Sequence, residues 1–405
     1  MFKLKREVLF PEYYGDFSCI GPACEDTCCA GWKVNVDKGT FQRYRNIKKS
    51  ELKEELKRNV TRERSNPSDY NYGKIKLNEK NVCTMLMEDG WCKIHAELGE
   101  EYLCYTCSEY PRAYNAVESR IEKSLTLSCP EAARLILLNE EGIGFLIDEE
   151  QLNTNRLIVR KVPSSEEQYF WDLRLFTIDI LQNRNQTLED RLIVLGMFIH
   201  KLCEIPREEW SAQLQPLMHR YKNILDNNDQ IELVKNLPQN LAFQMNMAKE
   251  LIKYRLTSDV SSQRYLDCLN DMLIALNLND ESIIDESKEL YEKHYDNYYS
   301  PFMKNHEYLL ENYAVNFVFK NLFPFNQPSM FESYVMLILN ISMIKLHLIG
   351  MAGQHKGLTI ELVIKLIQSF AKTIEHNSNY LQDVRTILQE SGYSTMAHMI
   401  VLIKS

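Results

Sequence analysis

Cysteine is the residue type with the most chemistry to offer in this chain, and it is unevenly distributed. Of the 11 cysteines in 405 residues, nine fall early, at Cys19, Cys24, Cys28, Cys29, Cys83, Cys92, Cys104, Cys107 and Cys129, and only Cys203 and Cys268 lie beyond. Cysteines scattered to fill a core would not partition this way. In Cys19-x4-Cys24-x3-Cys28-Cys29 the thiols sit a few positions apart, so on a turn they can converge on one soft metal centre. Zinc and iron–sulfur clusters both take such ligands. Cys104-x2-Cys107 has the spacing of a metal knuckle, with Cys83, Cys92 and Cys129 around it. Adjacent side chains diverge, so Cys28 and Cys29 are not expected to share one tetrahedral ion. They face two centres, or one is a spare or reactive thiol. At least four of the nine are expected to converge on one centre, drawn from both the first motif and the Cys104–Cys107 knuckle, since joining distant segments lets a metal add to folding stability. His95 offers an imidazole, but a lone histidine is more often a surface or core residue and stays outside the ligand set.

Two metals compete. A structural zinc would staple a loop-rich region, and an iron–sulfur cluster would add redox chemistry. Disulfides are disfavoured: nine is odd, and a chain of this length does not need staples. The first twenty residues carry Lys3, Lys5, Arg6, Glu7 and Glu12 and no apolar leader core, so a cytoplasmic location is expected. The net charge of -9 argues against a nucleic-acid partner. The most apolar stretch, Tyr334 to Gly350, is broken by Asn340, Lys345 and His347, so it reads as a buried helix and no membrane is expected.

The elements that must position these cysteines read as follows. A charged helix is predicted over Gly39 to Arg62, a short strand over Lys74 to Leu77, and a hairpin over Cys83 to Ile94 turning at Asp89-Gly90. More strand is predicted over Ala113 to Leu127 and over Ile143 to Ile147. Ser128-Cys-Pro-Glu131 reads as a capping box that puts Cys129 at a helix N-terminus, where the dipole favours a thiolate. After about Pro163 the period becomes helical. Phe170, Leu173, Phe176 and Ile180 share a face, as do Leu192, Leu195, Ile199 and Leu202 after a cap at Thr187, and Val363, Ile367, Phe370 and Ile374 after Thr359. The expected fold is mainly α: a small mixed α+β cysteine-rich domain over 1–160, packed on a larger all-α helical domain over 161–405.

That helical half offers softer signals. Tyr291, Tyr295, Tyr298 and Tyr299 recur at helical spacing, usually a packing stripe and, functionally, a wall for an alkylammonium group. Gly350, Gly353 and Gly357 follow no strand, so they form no dinucleotide fingerprint. A phosphate loop, a nucleophile elbow and a zinc-protease helix are absent, and no residue declares itself a catalytic base.

The segment Phe17-Ser-Cys-Ile-Gly-Pro-Ala-Cys-Glu-Asp-Thr-Cys-Cys-Ala-Gly-Trp32 resembles the opening of the bacterial flagellin lysine-N-methylase family. So do Cys104-Tyr-Thr-Cys-Ser-Glu-Tyr-Pro-Arg112 and Ser124-Leu-Thr-Leu-Ser-Cys-Pro-Glu-Ala-Ala-Arg134, and, further on, Gln182-Asn-Arg184, Glu311-Asn-Tyr-Ala-Val-Asn-Phe317 and Phe323-Pro-Phe325. The cysteine part is also similar to a class of zinc- or iron-chelating domains that end in a Cys-Cys pair. The resemblance implies methyl transfer from S-adenosylmethionine to flagellin lysines in the cytoplasm, and an iron–sulfur cluster, a four-iron one favoured over zinc. The contiguous Cys-x3-Cys-x2-Cys of radical methyl-donor enzymes is not present, since Gly31 stands where a third cysteine would follow Cys24-x3-Cys28. The competing reading is a non-catalytic iron–sulfur or zinc scaffold or redox sensor.

Overall fold

The computed structural model describes residues 5–48, 50–151, 159–163, 167–256, 260, 262–278 and 284–404. The N-terminal part runs β1 (Lys5–Pro11), β2 (Asn35–Val36), α1 (Lys38–Arg45), α2 (Ser50–Asn59), β3 (Val60–Arg62), β4 (Gly73–Ile75), α3 (Lys93–Leu98), α4 (Tyr105–Glu109), β5 (Arg112–Val117), β6 (Arg120–Leu125), α5 (Pro130–Leu137), β7 (Phe145–Gln151) and β8 (Val159–Lys161). The rest is helical: α6 (Glu167–Leu181), α7 (Leu188–Glu204), α8 (Trp210–Asp226), α9 (Asn228–Lys235), α10 (Leu241–Leu256), α11 (Gln263–Ala275), α12 (Ile284–His294), α13 (Ser300–His306), α14 (Tyr308–Lys320), α15 (Met330–His355), α16 (Ile360–Phe370), α17 (Ser378–Glu390) and α18 (Met396–Ile403). The mainly α fold with a small mixed sheet region matches the reading from periodicity.

A five-stranded sheet has the order β7-β1-β6-β5-β8, with β1 parallel to β6, β5 parallel to β8 and the other pairs antiparallel. A smaller antiparallel sheet has the order β2-β4-β3. The predicted strand over Ala113 to Leu127 is therefore two strands, turning at Glu118 with φ 53°. The predicted helix over Gly39 to Arg62 is also divided. Asn46 closes α1, and the β-branched Val60 and Thr61 pair with β4 instead of prolonging α2. At Asp89-Gly90 the chain does turn back, with Met87 N–H donating to Trp91 O at 2.9 Å, but entry into α3 limits the ladder to an isolated bridge between Leu86 and Cys92.

Two cores result. The larger joins Leu125, Leu127, Cys129, Ile136 and Ile143 to the faces of α6, α7, α11, α14, α15 and α16, so it runs unbroken across residue 160. The smaller lies between the three-stranded sheet and α1, α2 and α3, and takes in Cys83 and Cys104. All three predicted helix stripes are buried, and Thr187 and Thr359 accept from Asp190 N and Leu362 N as caps. Helix α15 alone among the described residues is long and apolar enough to cross a membrane, but 89% of its apolar window is buried within the protein. It passes against α7 at Gly196, where a Cβ would overlap the Tyr334 ring, and Tyr334 Oη donates to Leu192 O at 3.0 Å.

The polar seam between the two parts uses buried side chains as backbone partners. Tyr13 Oη donates to Asn316 Oδ1 at 2.5 Å, and Asn312 Nδ2 donates to Leu137 O and Asn139 O at 3.2 and 2.8 Å. Asn115 Nδ2 reaches Phe319 O and Lys320 O at 3.3 and 3.2 Å, and Gln182 Nε2 reaches Ile143 O at 3.1 Å. Glu311 receives Arg184 at 2.8 Å and Arg191 at 2.7 Å, and Glu307 holds Arg191 at 2.7 Å; Glu311 and Arg191 are buried, while Arg184 and Glu307 reach solvent.

Candidate metal centre

The nine early cysteines come together. One cavity of ≈ 420 Å³ is lined by Cys19, Cys24, Cys28, Cys29, Cys83, Cys92, Cys104, Cys107 and Cys129, with Trp32, Trp91 and Tyr110 among its walls. Sulfur is its dominant donor, which suits soft metals. Among the described residues, no three His, Cys, Asp or Glu side chains are gathered as the ligands of a single ion. One tetrahedral zinc with bonds of about 2.3 Å would draw its sulfurs to within roughly 4 Å of one another. A cluster whose ligands each bind a different iron holds them further apart. The donor set is thiolate throughout, the kind that zinc and iron–sulfur clusters both take.

Local structure explains how the thiols are aimed. Cys92, Cys104 and Cys129 each stand at the N-cap of a helix, α3, α4 and α5 respectively. None of the three makes a side-chain cap hydrogen bond, but the N–H groups of the first turn, Ile94 and His95, Thr106 and Cys107, Glu131 and Ala132, act on these sulfurs against the pull of burial. These are donors a helix start leaves without internal partners, and they favour negative sulfur. The sequence points to this position at Cys129, and the same placement at Cys92 and Cys104 went unread. Cys83 is tied by its own N–H to Cys29 O at 2.7 Å. Gly31, with φ 83°, turns the chain just after Cys28-Cys29, and its N–H donates to Asn81 O at 2.9 Å. Trp32 Nε1 donates to Cys28 O at 2.5 Å.

Two expectations are corrected. The Ser128–Glu131 capping box does not form. Cys129 is the N-cap itself, Ser128 Oγ lies 3.1 Å from Tyr110 Oη and 2.9 Å from His376 Nε2, and Glu131 binds Arg134 at 3.0 Å. Burial also outweighs the dipole at Cys129, pushing its thiol up to about 11. At the adjacent Cys28 and Cys29, the neighbouring thiol and burial raise Cys28, and the neighbouring thiol lowers Cys29 to about 7. Cys104 and Cys107 form a second such pair, with Cys104 lowered and Cys107 raised by the shared proton. Burial pushes Cys83 up to about 12.

The loop carrying Cys24 to Cys29 is clamped from the far end of the chain. Asp26 receives Gln368 Nε2 and Lys372 Nζ, both at 2.7 Å, the first across 342 residues of sequence. Gln368 Nε2 also reaches Ser128 O at 2.8 Å, and its Oε1 accepts from Arg264 Nε at 2.9 Å. Glu25 binds Arg134 of α5 at 2.7 Å. No local signal marks Gln368 or Lys372.

The helical body that supplies this clamp also carries the family signature. Residues 174–402 match the model for the FliB lysine N-methylase C-terminal domain. The chain belongs to the FliB lysine N-methylase family. Two proteins called lysine-N-methylase, from Salmonella choleraesuis and Salmonella typhimurium, are each 25% identical over 410 residues, covering 96% of this chain and 98% of their own. A flagellar biosynthetic protein FliU from Salmonella muenchen is 32% identical over 160 residues, 39% of this chain and 92% of that protein. No solved structure matches. In this FliB family member the residues of the C-terminal resemblance are largely architectural: Gln182, Arg184, Asn312 and Asn316 donate to carbonyls of Ile143, Glu140, Leu137 and Leu125, and Glu311 holds Arg184 and Arg191 within the helical part.

The tyrosine stripe divides. Tyr291 and Tyr299 are buried, and the segment Tyr295–Tyr299 is a π-helical turn between α12 and α13. Tyr295 and Tyr299 line a cleft of ≈ 490 Å³ together with Glu189, Glu307 and Lys345. Lys345 Nζ pairs with Glu189, donates to Ile403 O at 2.9 Å and lies 5.8 Å from the Tyr295 ring centre.

Proposed function

We propose that this chain is an S-adenosylmethionine-dependent protein-lysine N-methyltransferase that acts on flagellin and carries an iron–sulfur cluster among its early cysteines. The observation that carries the activity is the match of residues 174–402 to the FliB lysine N-methylase domain, extended by alignment with lysine-N-methylases over 96% of the chain. The flagellar name of the FliU relative supports flagellin as the acceptor. The cavity of nine cysteines supports the cluster, and any of the nine can serve as ligand.

In the reaction a neutral lysine Nζ attacks the sulfonium methyl carbon. The N–C bond forms, the S–C bond breaks with its electron pair going to sulfur, and the methylated ammonium sheds a proton. The acceptor must lose its charge beforehand, so the site has to desolvate it or take a proton from it. The cleft lined by Tyr295, Tyr299, Glu189 and Glu307 offers aromatic faces and carboxylates to a cation, with Leu188, Leu192, Leu310 and Ile341 as its apolar part and Arg184, Lys304 and Lys345 as competing charges. A cluster bound among the cysteines would cross-link segments from residue 19 to residue 129 and bring one-electron chemistry. The chain's own part there is to aim thiols and helix-start N–H groups into one space.

The test is anaerobic purification, metal analysis, and incubation with methyl-labelled S-adenosylmethionine and flagellin, with labelled lysines located by peptide mass spectrometry. Label on flagellin lysines is expected. Cys104→Ser and Cys107→Ser should weaken the metal centre and lower methyl transfer together, and full transfer at lowered metal content would detach the cluster from catalysis. Nine free cysteines around one cavity favour a second reading, a redox-sensing scaffold, which takes over if the metal-loaded protein transfers no label.

A further inference from the structure

Nine thiols are more than one centre uses, and the fold sorts them. Cys129 belongs to the large core and heads α5, the helix whose Arg134 holds Glu25 at 2.7 Å, and the preceding residue, Ser128, gives its carbonyl to Gln368. Gln368 also holds Asp26, so the loop bearing Cys24 and Cys28 is fastened beside Cys129. Cys83 and Cys104 belong instead to the small core, with Cys29, Cys92 and Cys107 packed against it. Cys29 O takes the Cys83 N–H at 2.7 Å, and Cys104 O takes the Cys107 N–H at 2.9 Å. Cys19 is joined to Cys24 by one short turn, in which Ala23 N–H donates to Ile20 O at 3.2 Å and Cys24 N–H donates to Gly21 O at 3.1 Å, so it stays with the clamped loop. The chain passes from one set to the other between Cys28 and Cys29.

We propose that the cavity houses two adjacent thiolate metal centres: one bound by Cys19, Cys24, Cys28 and Cys129, the other drawn from Cys29, Cys83, Cys92, Cys104 and Cys107. Four thiolates complete an iron–sulfur cluster, and the second set offers five. Cys28 and Cys29, adjacent in sequence, each serve a different centre across a shared wall. The pooling of the first motif with the Cys104–Cys107 knuckle then holds for Cys29 alone. The inference rests on the iron–sulfur reading above and extends it.

The full-length chain, reconstituted anaerobically with ferrous iron and sulfide, tests it through iron and acid-labile sulfide per chain and the electron paramagnetic resonance of the reduced protein. The pair Cys24→Ser with Cys129→Ser and the pair Cys104→Ser with Cys107→Ser are each expected to keep about half the iron of the unaltered chain, with different residual spectra. Loss of all iron from either pair, at unchanged helical circular dichroism, overturns two centres and leaves one. No iron in the unaltered chain overturns the iron–sulfur reading itself. If a pair fails to fold, alkylation of the unaltered protein with and without metal decides. Slowing by metal at seven or more cysteines from both sets supports two centres, and slowing at four or fewer overturns them.

Discussion

His347 sits on α15 in the middle of the large core with no exposure, and burial lowers its pKa from 6.5 to about 4. Its Nδ1 donates to Met343 O at 2.7 Å, so the neutral ring presents Nε2 to the Tyr265 hydroxyl 3.5 Å away, with the Phe370 ring as the other neighbour. The unfolded chain binds this proton at pH 6.5 and the folded chain does not, so stability falls as pH drops from about 6.5 to about 4 and is intact above that window. The difference amounts to roughly 3 kcal/mol once both states are saturated. Urea unfolding at pH 7 and at pH 4.5 should show a smaller acid loss in His347→Gln than in the unaltered chain, and equal losses would remove His347 from the account. Gly196 makes a second residue-scale case. Alanine gains about 1 kcal/mol over glycine in a helix, but its methyl would press on Tyr334, which is pinned through its hydroxyl to Leu192 O. Overpacking of about 3 kcal/mol wins. Gly196→Ala should therefore lower stability by about 2 kcal/mol in urea melts, and an unchanged midpoint would mean the ring simply moves aside.

Among the elements, the Cys24–Cys29 loop depends most on others. Lys372 and Asp26 form a partly buried pair, and a hydrogen bond to a charged partner contributes on the order of 1.5 kcal/mol, about tenfold in an equilibrium. Lys372→Met should speed removal of metal by a chelator about tenfold while leaving helical circular dichroism unchanged. An unaltered removal rate would show that the loop holds its shape without the clamp. The helices themselves were legible because their signals are local. The stripes of α6, α7 and α16 repeat every few residues, and Thr187 and Thr359 cap within one turn. The cysteines were legible because their side chains advertise their chemistry. Asp26 with Gln368 and Tyr13 with Asn316 were not, since nothing near either residue specifies a partner hundreds of positions away. The Ser128 box misled for the same reason, because Tyr110 and His376, distant in sequence, hold the hydroxyl that a local reading gives to the helix.

At the scale of the molecule, the large core includes Tyr13, Leu125 and Ile143 alongside α14 and α15, and Asn312 and Asn316 spend their amides on carbonyls of the first 140 residues. Deleting residues 1–160 would strand these amides and uncover the apolar face beneath β6 and α5. The fragment 161–405 is expected to bind a hydrophobic dye and lose a cooperative thermal transition, whereas a sharp melt in calorimetry would make the helical part self-sufficient. The distance between Asp26 and Lys372 also sets an order of events on the ribosome. Synthesis delivers the N-terminal end first, so all nine thiols are in the cell before the residues that fasten their loop have been made. For the time it takes to translate some 240 further residues, the nine cysteines wait in a chain whose last tether does not yet exist.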